Sequence, residues 1–197
     1  DSQGPCEDTA AVLALDKGSL VFNNSGSGVV ARNGSQVNLK GVVANNEKGG
    51  ILASGAGTNV TIRNLVSCMN GLDQEGCIPP VISNNRLVGI SMGESTELVM
   101  DSAIVSESKA KEGGDNNLDN FGDGVLADKP SSMVITRSKV TNCDRAGLVV
   151  IHETLSNGVL PSITVNSSSF ENSPYGGVWI TPKAAAAKDF TPNILEE

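Results

Sequence analysis

The chain has 197 residues, a formal net charge of -8, 22 glycines, and 39% hydrophobic but only 3% aromatic residues. That length suits one domain with its own core; the acidic balance argues against nucleic acid or an anionic membrane surface as a partner but leaves a divalent or cationic ligand open. No apolar run approaches the roughly 20 residues that span a bilayer, and so aromatic-poor a core must be built from Val, Ile, Leu and Ala in thin repeated layers joined by Gly-, Asn- and Ser-rich turns.

In chain order, the opening DSQGPCEDTA does not read as a secretory leader, and residues 1–18 are expected to cap the domain or enter it as a strand. A repeat then begins. GVVA at Gly28 is followed by VNLK at Val37, and GILA at Gly50 by VTIR at Val60; GISM at Gly89, GVLA at Gly124, GLVV at Gly147 and GVWI at Gly177 continue the series, with LVMD at Leu98, MVIT at Met133 and ITVN at Ile163 between them. The period of two predicts strands with one buried face, with Val37/Leu39, Val60/Ile62, Leu98/Met100, Met133/Ile135 and Ile163/Val165 pointing inward. A third short run ends in asparagine five residues before the next glycine, at Asn23, Asn45, Asn84, Asn142 and Asn172, with Asp119 at the corresponding place in the remaining coil. Stacked asparagines are expected to form a ladder, each amide bonding its neighbour one coil away.

The glycines are separated by 22, 39, 35, 23 and 30 residues, so three intervals carry insertions. These fall at roughly 68–84, 108–121 and 152–161, the first two expected before the glycine-led strand and the third after it, so that loops flank one strand from both sides. The first leaves two candidates for the third strand, LVSC at Leu65 and VISN at Val81. It also carries Cys68 and Cys77, which read either as a disulfide or as buried thiols; with Cys6 and Cys143 they show no CxxC or CxxH spacing for zinc, and Cys143 reads as a buried thiol.

The second insertion carries GGDNNLDNFGDG, residues 113–124. Asp115, Asn117 and Asp119 place oxygens at alternate positions and Asp123 follows four residues on, a candidate calcium site. The match to a helix-flanked calcium loop is partial, since Asn120 stands where that loop needs glycine and Leu126 where it needs a bidentate glutamate; a solvated Asx-rich turn is the other reading. The third insertion starts at the lone His152 beside Glu153. Glu94, Asp128 and Glu153 fall four to six residues after their glycines on successive coils. Sugar hydrolysis needs paired carboxylates at the scissile bond, which makes Asp123, Asp128, His152 and Glu153 the candidate catalytic set, against the alternative of a solvated edge. The outward positions of the glycine-led strand, Val30, Leu52, Ser91, Leu126, Val149 and Trp179, form a mostly apolar stripe, either a docking face or a surface that the insertions or the tail cover. Trp179 and Tyr175 are candidate sugar-stacking residues, although a tryptophan near an open solenoid end also serves to seal the core. The tail PKAAAAKDFTPNILEE, residues 182–197, reads as a cap or as a tether to further chain.

Three short strands per turn of roughly 22 residues, with glycine-led starts and asparagine-rich turns, resemble the right-handed parallel β-helix repeat family over roughly residues 11–181. That family includes pectate lyases, polygalacturonases and many surface proteins. The resemblance implies an all-β, right-handed parallel β-helix of about six to seven coils with three short parallel sheets, residues 1–181 forming the domain. In its lyases and hydrolases the substrate groove runs along one sheet between lateral loops. Here the corresponding stripe is apolar, and the NTD, DD and GHG motifs and the lyase arginine motif are absent. The first expectation is therefore a non-catalytic extracellular or cell-surface module that binds a glycan, a protein partner or a neighbouring domain, with calcium as its one candidate cofactor. The alternative is a polysaccharide lyase or glycoside hydrolase acting on an acidic polysaccharide through the carboxylate row.

Overall fold

The computed structural model describes residues 10–63, 78–110, 122–151, 153, 155 and 158–181, which carry eighteen short strands in three parallel sheets. Sheet A stacks β1 (Val12–Leu15), β4 (Gln36–Leu39), β7 (Asn59–Arg63), β10 (Glu97–Asp101), β13 (Ser132–Thr136) and β16 (Ser162–Asn166). Sheet B stacks β2 (Leu20–Phe22), β5 (Val42–Ala44), β8 (Val81–Ser83), β11 (Ile104–Ser106), β14 (Lys139–Thr141) and β17 (Ser169–Glu171). Sheet C stacks the glycine-led strands, β3 (Val29–Arg32), β6 (Gly49–Ser54), β9 (Val88–Met92), β12 (Asp123–Asp128), β15 (Leu148–Ile151) and β18 (Val178–Thr181). Every third strand pairs in parallel, so the described residues wind through six coils.

The alternation in each run becomes a column in the core. Val29, Ile51, Ile90, Val125 and Leu148 lie in register in sheet C and are at most 4% exposed. Like side chains stacked at the coil spacing of about 4.8 Å exclude water along the whole axis, and each fully buried Val, Leu or Ile contributes about 1.5–3 kcal/mol. The inward residues expected in sheet A behave the same way through Ile135, whereas Ile163 is half-buried and Val165 exposed because no later described strand stacks on β16.

The glycines that open sheet C are required by close approach. A Cβ on Gly50, Gly89, Gly124 or Gly147 would lie 2.5–2.7 Å from the carbonyl oxygen of the next glycine in the column. Backbone oxygens in a sheet cannot step aside, which excludes any side chain there.

The corner between sheets B and C corrects the expected ladder in two ways. Asn23, Asn45, Asn84, Asn142 and Asn172 do occupy one column, each with φ between 49° and 57°, a left-handed conformation that asparagine tolerates better than most residues. The sixth member is Glu107 (φ 55°), not Asp119. The second insertion leaves the coil after this turn, so counting back from Gly124 lands inside the inserted segment, and Asp119 itself lies outside the described residues. The main hydrogen-bonded ladder is the next column inward: Asn46 Oδ1 accepts from Asn24 Nδ2 and Asn85 Oδ1 from Asn46 Nδ2, both at 2.8 Å, and Asn85 Nδ2 donates to the Val43 carbonyl. Asn46 and Asn85 are at most 1% exposed, so these bonds satisfy amides that water cannot reach. In the outer column one amide bond is made, from Asn84 Nδ2 to Asn45 Oδ1.

The insertions leave at three different corners. VIS at Val81 supplies β8, so the first insertion joins sheet A to sheet B and does not directly precede the glycine-led strand as expected. The second precedes β12 and the third follows β15, so these two do flank sheet C on adjacent coils. Cys143 is a free, buried thiol, as expected; Cys6, Cys68, Cys77 and the tail 182–197 lie outside the described residues.

Candidate functional site

The outer face of sheet C divides along the axis. Val30 is 52% exposed and Leu52 half-buried, but Leu126, Val149 and Trp179 are buried and join Val88, Ala146 and Ile151 in an apolar cluster outside the coil. Leu155 and Pro161, from the third insertion, are buried as well. Trp179 stacks in register on Val149 and retains 4% of its surface, so its indole acts as core and presents no ring face on which a sugar could stack. Tyr175 is 40% exposed in the turn that leads into the same strand, its backbone N–H donating to the Arg145 carbonyl.

Asp123 sits on this outer face, in register with Val88, and is completely buried. Its carboxylate accepts from Arg145 Nε at 2.7 Å, from Arg145 Nη2, and from the Ala146 N–H at 3.3 Å. Burial pushes the Asp123 carboxyl above its ordinary value of 3.8, while the guanidinium's hydrogen bonds and charge pull it back. The upward direction means that protonation of this carboxyl favours the fold at low pH, a contribution lost as pH rises through its folded value. Arg145 is what makes an ionised Asp123 tolerable there.

With both carboxylate oxygens bonded and no surface, Asp123 is not placed to ligate calcium or to meet a substrate. Asp115, Asn117 and Asp119 lie outside the described residues, as does His152; among the described residues no group of three or more His, Cys, Asp or Glu side chains could hold a metal ion. Removing calcium with a chelator is expected to leave the melting temperature unchanged; a fall reversed by calcium, and lost in D115N/D119N, would show a calcium site to which Asp123 does not contribute.

The predicted carboxylate row is brought together, but around a cation. Lys129 Nζ lies 3.7 Å from Glu94 Oε2 and 3.9 Å from Glu153 Oε2, with the lysine side chain only 19% exposed. An ammonium thus sits between the two carboxylates where a hydrolase would need water or the scissile bond. Asp128, on the same edge, keeps one buried oxygen, Oδ1, that accepts no hydrogen bond.

A second place was not singled out by the sequence. Along the corner between sheets B and C runs a groove of about 540 Å³. It is lined by the amides of Asn23, Asn45, Asn46 and Asn84, by Ala110, and by a charged wall of Glu47, Arg86, Lys109 and Asp144. The wall residues come two positions after the left-handed turn residue on four successive coils, a spacing legible once Glu107 takes its place in that column. The wall charges are paired: Arg86 Nη1 with Glu47 Oε2 at 3.0 Å and Lys109 Nζ with Asp144 Oδ1 at 3.9 Å, while Asp144 Oδ2 accepts the Ala110 N–H. Both pairs are substantially exposed, so each adds only about 0–1 kcal/mol to stability; their effect is to leave the groove without net charge.

A family model described as right handed beta helix region matches residues 17–190 of the chain. No curated protein and no solved structure matches it.

Proposed function

The chain belongs to the right-handed β-helix family, a scaffold on which activity is set by the surface of the coils and not by the coils themselves, and from that surface we propose a non-catalytic binding module. Its setting in this proposal is extracellular or at a cell surface, as for the surface proteins built on this repeat, and its partner is a glycan, a protein or a neighbouring domain. The observation that carries the reading is the closure of the sheet C face: apolar side chains fill it over the later coils, and the one carboxylate within that cluster, Asp123, is consumed by Arg145. A concave surface lies instead in the groove between sheets B and C, whose described lining of amides and paired charges can bind but includes no nucleophile activated by a neighbouring base.

Incubation with polygalacturonate and other uronate polymers is the direct test. No new reducing ends and no unsaturated products are expected. One observation favours a second reading, a lyase or hydrolase of acidic polysaccharide: the unpartnered Asp128 Oδ1 beside Glu94, Lys129 and Glu153. Turnover abolished by D128N would establish that reading and overturn the binding module.

A further inference from the structure

The turn from β3 to β4 carries the dipeptide Asn33–Gly34. Both residues are left-handed, at φ 51° and 80°, and the Ser35 N–H donates back to the Arg32 carbonyl at 3.2 Å, the signature of a type I′ turn. An asparagine before glycine is also the one most readily attacked by its own backbone. The next amide nitrogen closes on the side-chain carbonyl carbon, and glycine puts no side chain in the way. The other left-handed asparagines among the described residues, Asn23, Asn45, Asn84, Asn142 and Asn172, are each followed by Asn, Cys or Ser. Asn33 is exposed, so water and hydroxide reach it.

The neighbouring coil holds this reaction off. The Gly34 N–H donates to Thr58 Oγ1 at 3.2 Å. Thr58 is completely buried, and its own hydroxyl proton is committed to the Ser54 carbonyl at 2.9 Å, so Oγ1 is fixed as an acceptor. The Asn33 N–H donates to the Ser54 carbonyl at 3.1 Å, and Asn33 Oδ1 lies over Gly55, where an added Cβ would come within 2.6 Å of it. For attack, the Gly34 nitrogen must give up its proton, and the peptide plane between Asn33 and Gly34 must rotate toward Asn33 Cγ. The bond to Thr58 holds the proton and opposes the rotation.

We infer that Asn33 is a latent deamidation site, closed by the bond from Gly34 to Thr58 while this turn is seated on the second coil and opened when the turn lifts away. In the open state the Gly34 nitrogen bonds to Asn33 Cγ, the side-chain amino group leaves as ammonia with the displaced proton, and a cyclic succinimide forms. Water then adds at either ring carbonyl and yields aspartate or isoaspartate. The net change consumes one water and releases one ammonia, with no redox partner. Isoaspartate adds a methylene to the main chain between β3 and β4, so a coil that has opened and reacted no longer reseats in the same register. β3 is the terminal described strand of sheet C and pairs only with β6, the kind of position where local opening costs least.

Peptide mapping by mass spectrometry, after incubating the whole protein in mildly alkaline buffer, reads the conversion at Asn33. Its rate follows the open population when opening and closing are fast, so folded protein is expected to convert more slowly than the same protein in urea. T58V removes the acceptor and keeps the branched side chain; it is expected to convert about tenfold faster than the parent, the worth of one hydrogen bond. T58S restores the hydroxyl, and S35A removes a different bond of the same turn, from Ser35 Oγ to the Arg32 carbonyl; both are expected to match the parent. Hydrogen exchange at the Gly34 amide needs no variant and is expected to show protection. Equal conversion in folded and unfolded parent, an unprotected Gly34 amide, or an Asn33 that stays unconverted even in urea would each overturn the inference. A T58V rate no higher than that of S35A, with thermal melts showing both folded, would overturn it as well.

Discussion

Gly124→Ala is expected to destabilise the protein by about 3 kcal/mol, the upper end of what one added methyl costs in a filled interior. The new Cβ would lie 2.7 Å from the Gly147 carbonyl oxygen and 3.0 Å from Cys143 Sγ while pressing on Val140 Cγ1. A side chain can rotate away, but the carbonyl belongs to the next coil, and moving it strains the stack on both sides. For a chain of this size such a loss corresponds to a fall in melting temperature of roughly 6–12 °C. Gly26→Ala is the matched control, since nothing lies within 4 Å of a Cβ there; it is expected to stay within about 0.5 kcal/mol of the parent. If G124A melts with G26A, the glycine column is not set by close approach of the coils.

Asp123→Ala is expected to cost about 3–5 kcal/mol, measured by urea unfolding, because it takes the fully buried carboxylate away from a largely buried guanidinium. The double variant D123L/R145M removes both charges and fills the same space with apolar atoms. It is expected to recover most of the loss and to match or exceed the parent, because it also removes the cost of desolvating the carboxylate. Both variants lie in the apolar cluster on the outer face of sheet C, so the pair of measurements separates the value of the ion pair from that of the packing around it. A D123A protein as stable as the parent would show that Asp123 is not held as a buried charge, and would reopen its place among the catalytic and calcium candidates.

The repeat made much of the fold legible, and its failures have one cause. Alternation within a strand is local, so inward residues such as Val60, Ile62 and Leu98 follow from a few neighbouring positions. Equivalence between coils requires knowing where an insertion leaves the coil. Counting back five residues from Gly124 placed Asp119 in the left-handed column, whereas the inserted segment intervenes and Glu107 holds that position. The same displacement concealed the groove, since Glu47, Arg86, Lys109 and Asp144 share a row only after the coils are aligned on Glu107.

The sequence by itself determined the coil: three strands per turn, the buried face of each, and the glycine column, because these properties recur in every coil once the insertions are set aside and satisfy the same nearest-neighbour packing each time. Tertiary structure alone decided what the surface became. Asp123 reads as a ligand in a polar stretch until Arg145, one bare repeat later, is stacked beside it in a dry cluster. Glu94 and Glu153 read as paired carboxylates until Lys129 is found between them. In each case the chemistry depends on the neighbour one coil away and on exclusion of water, and both are set only when the coils close on one another.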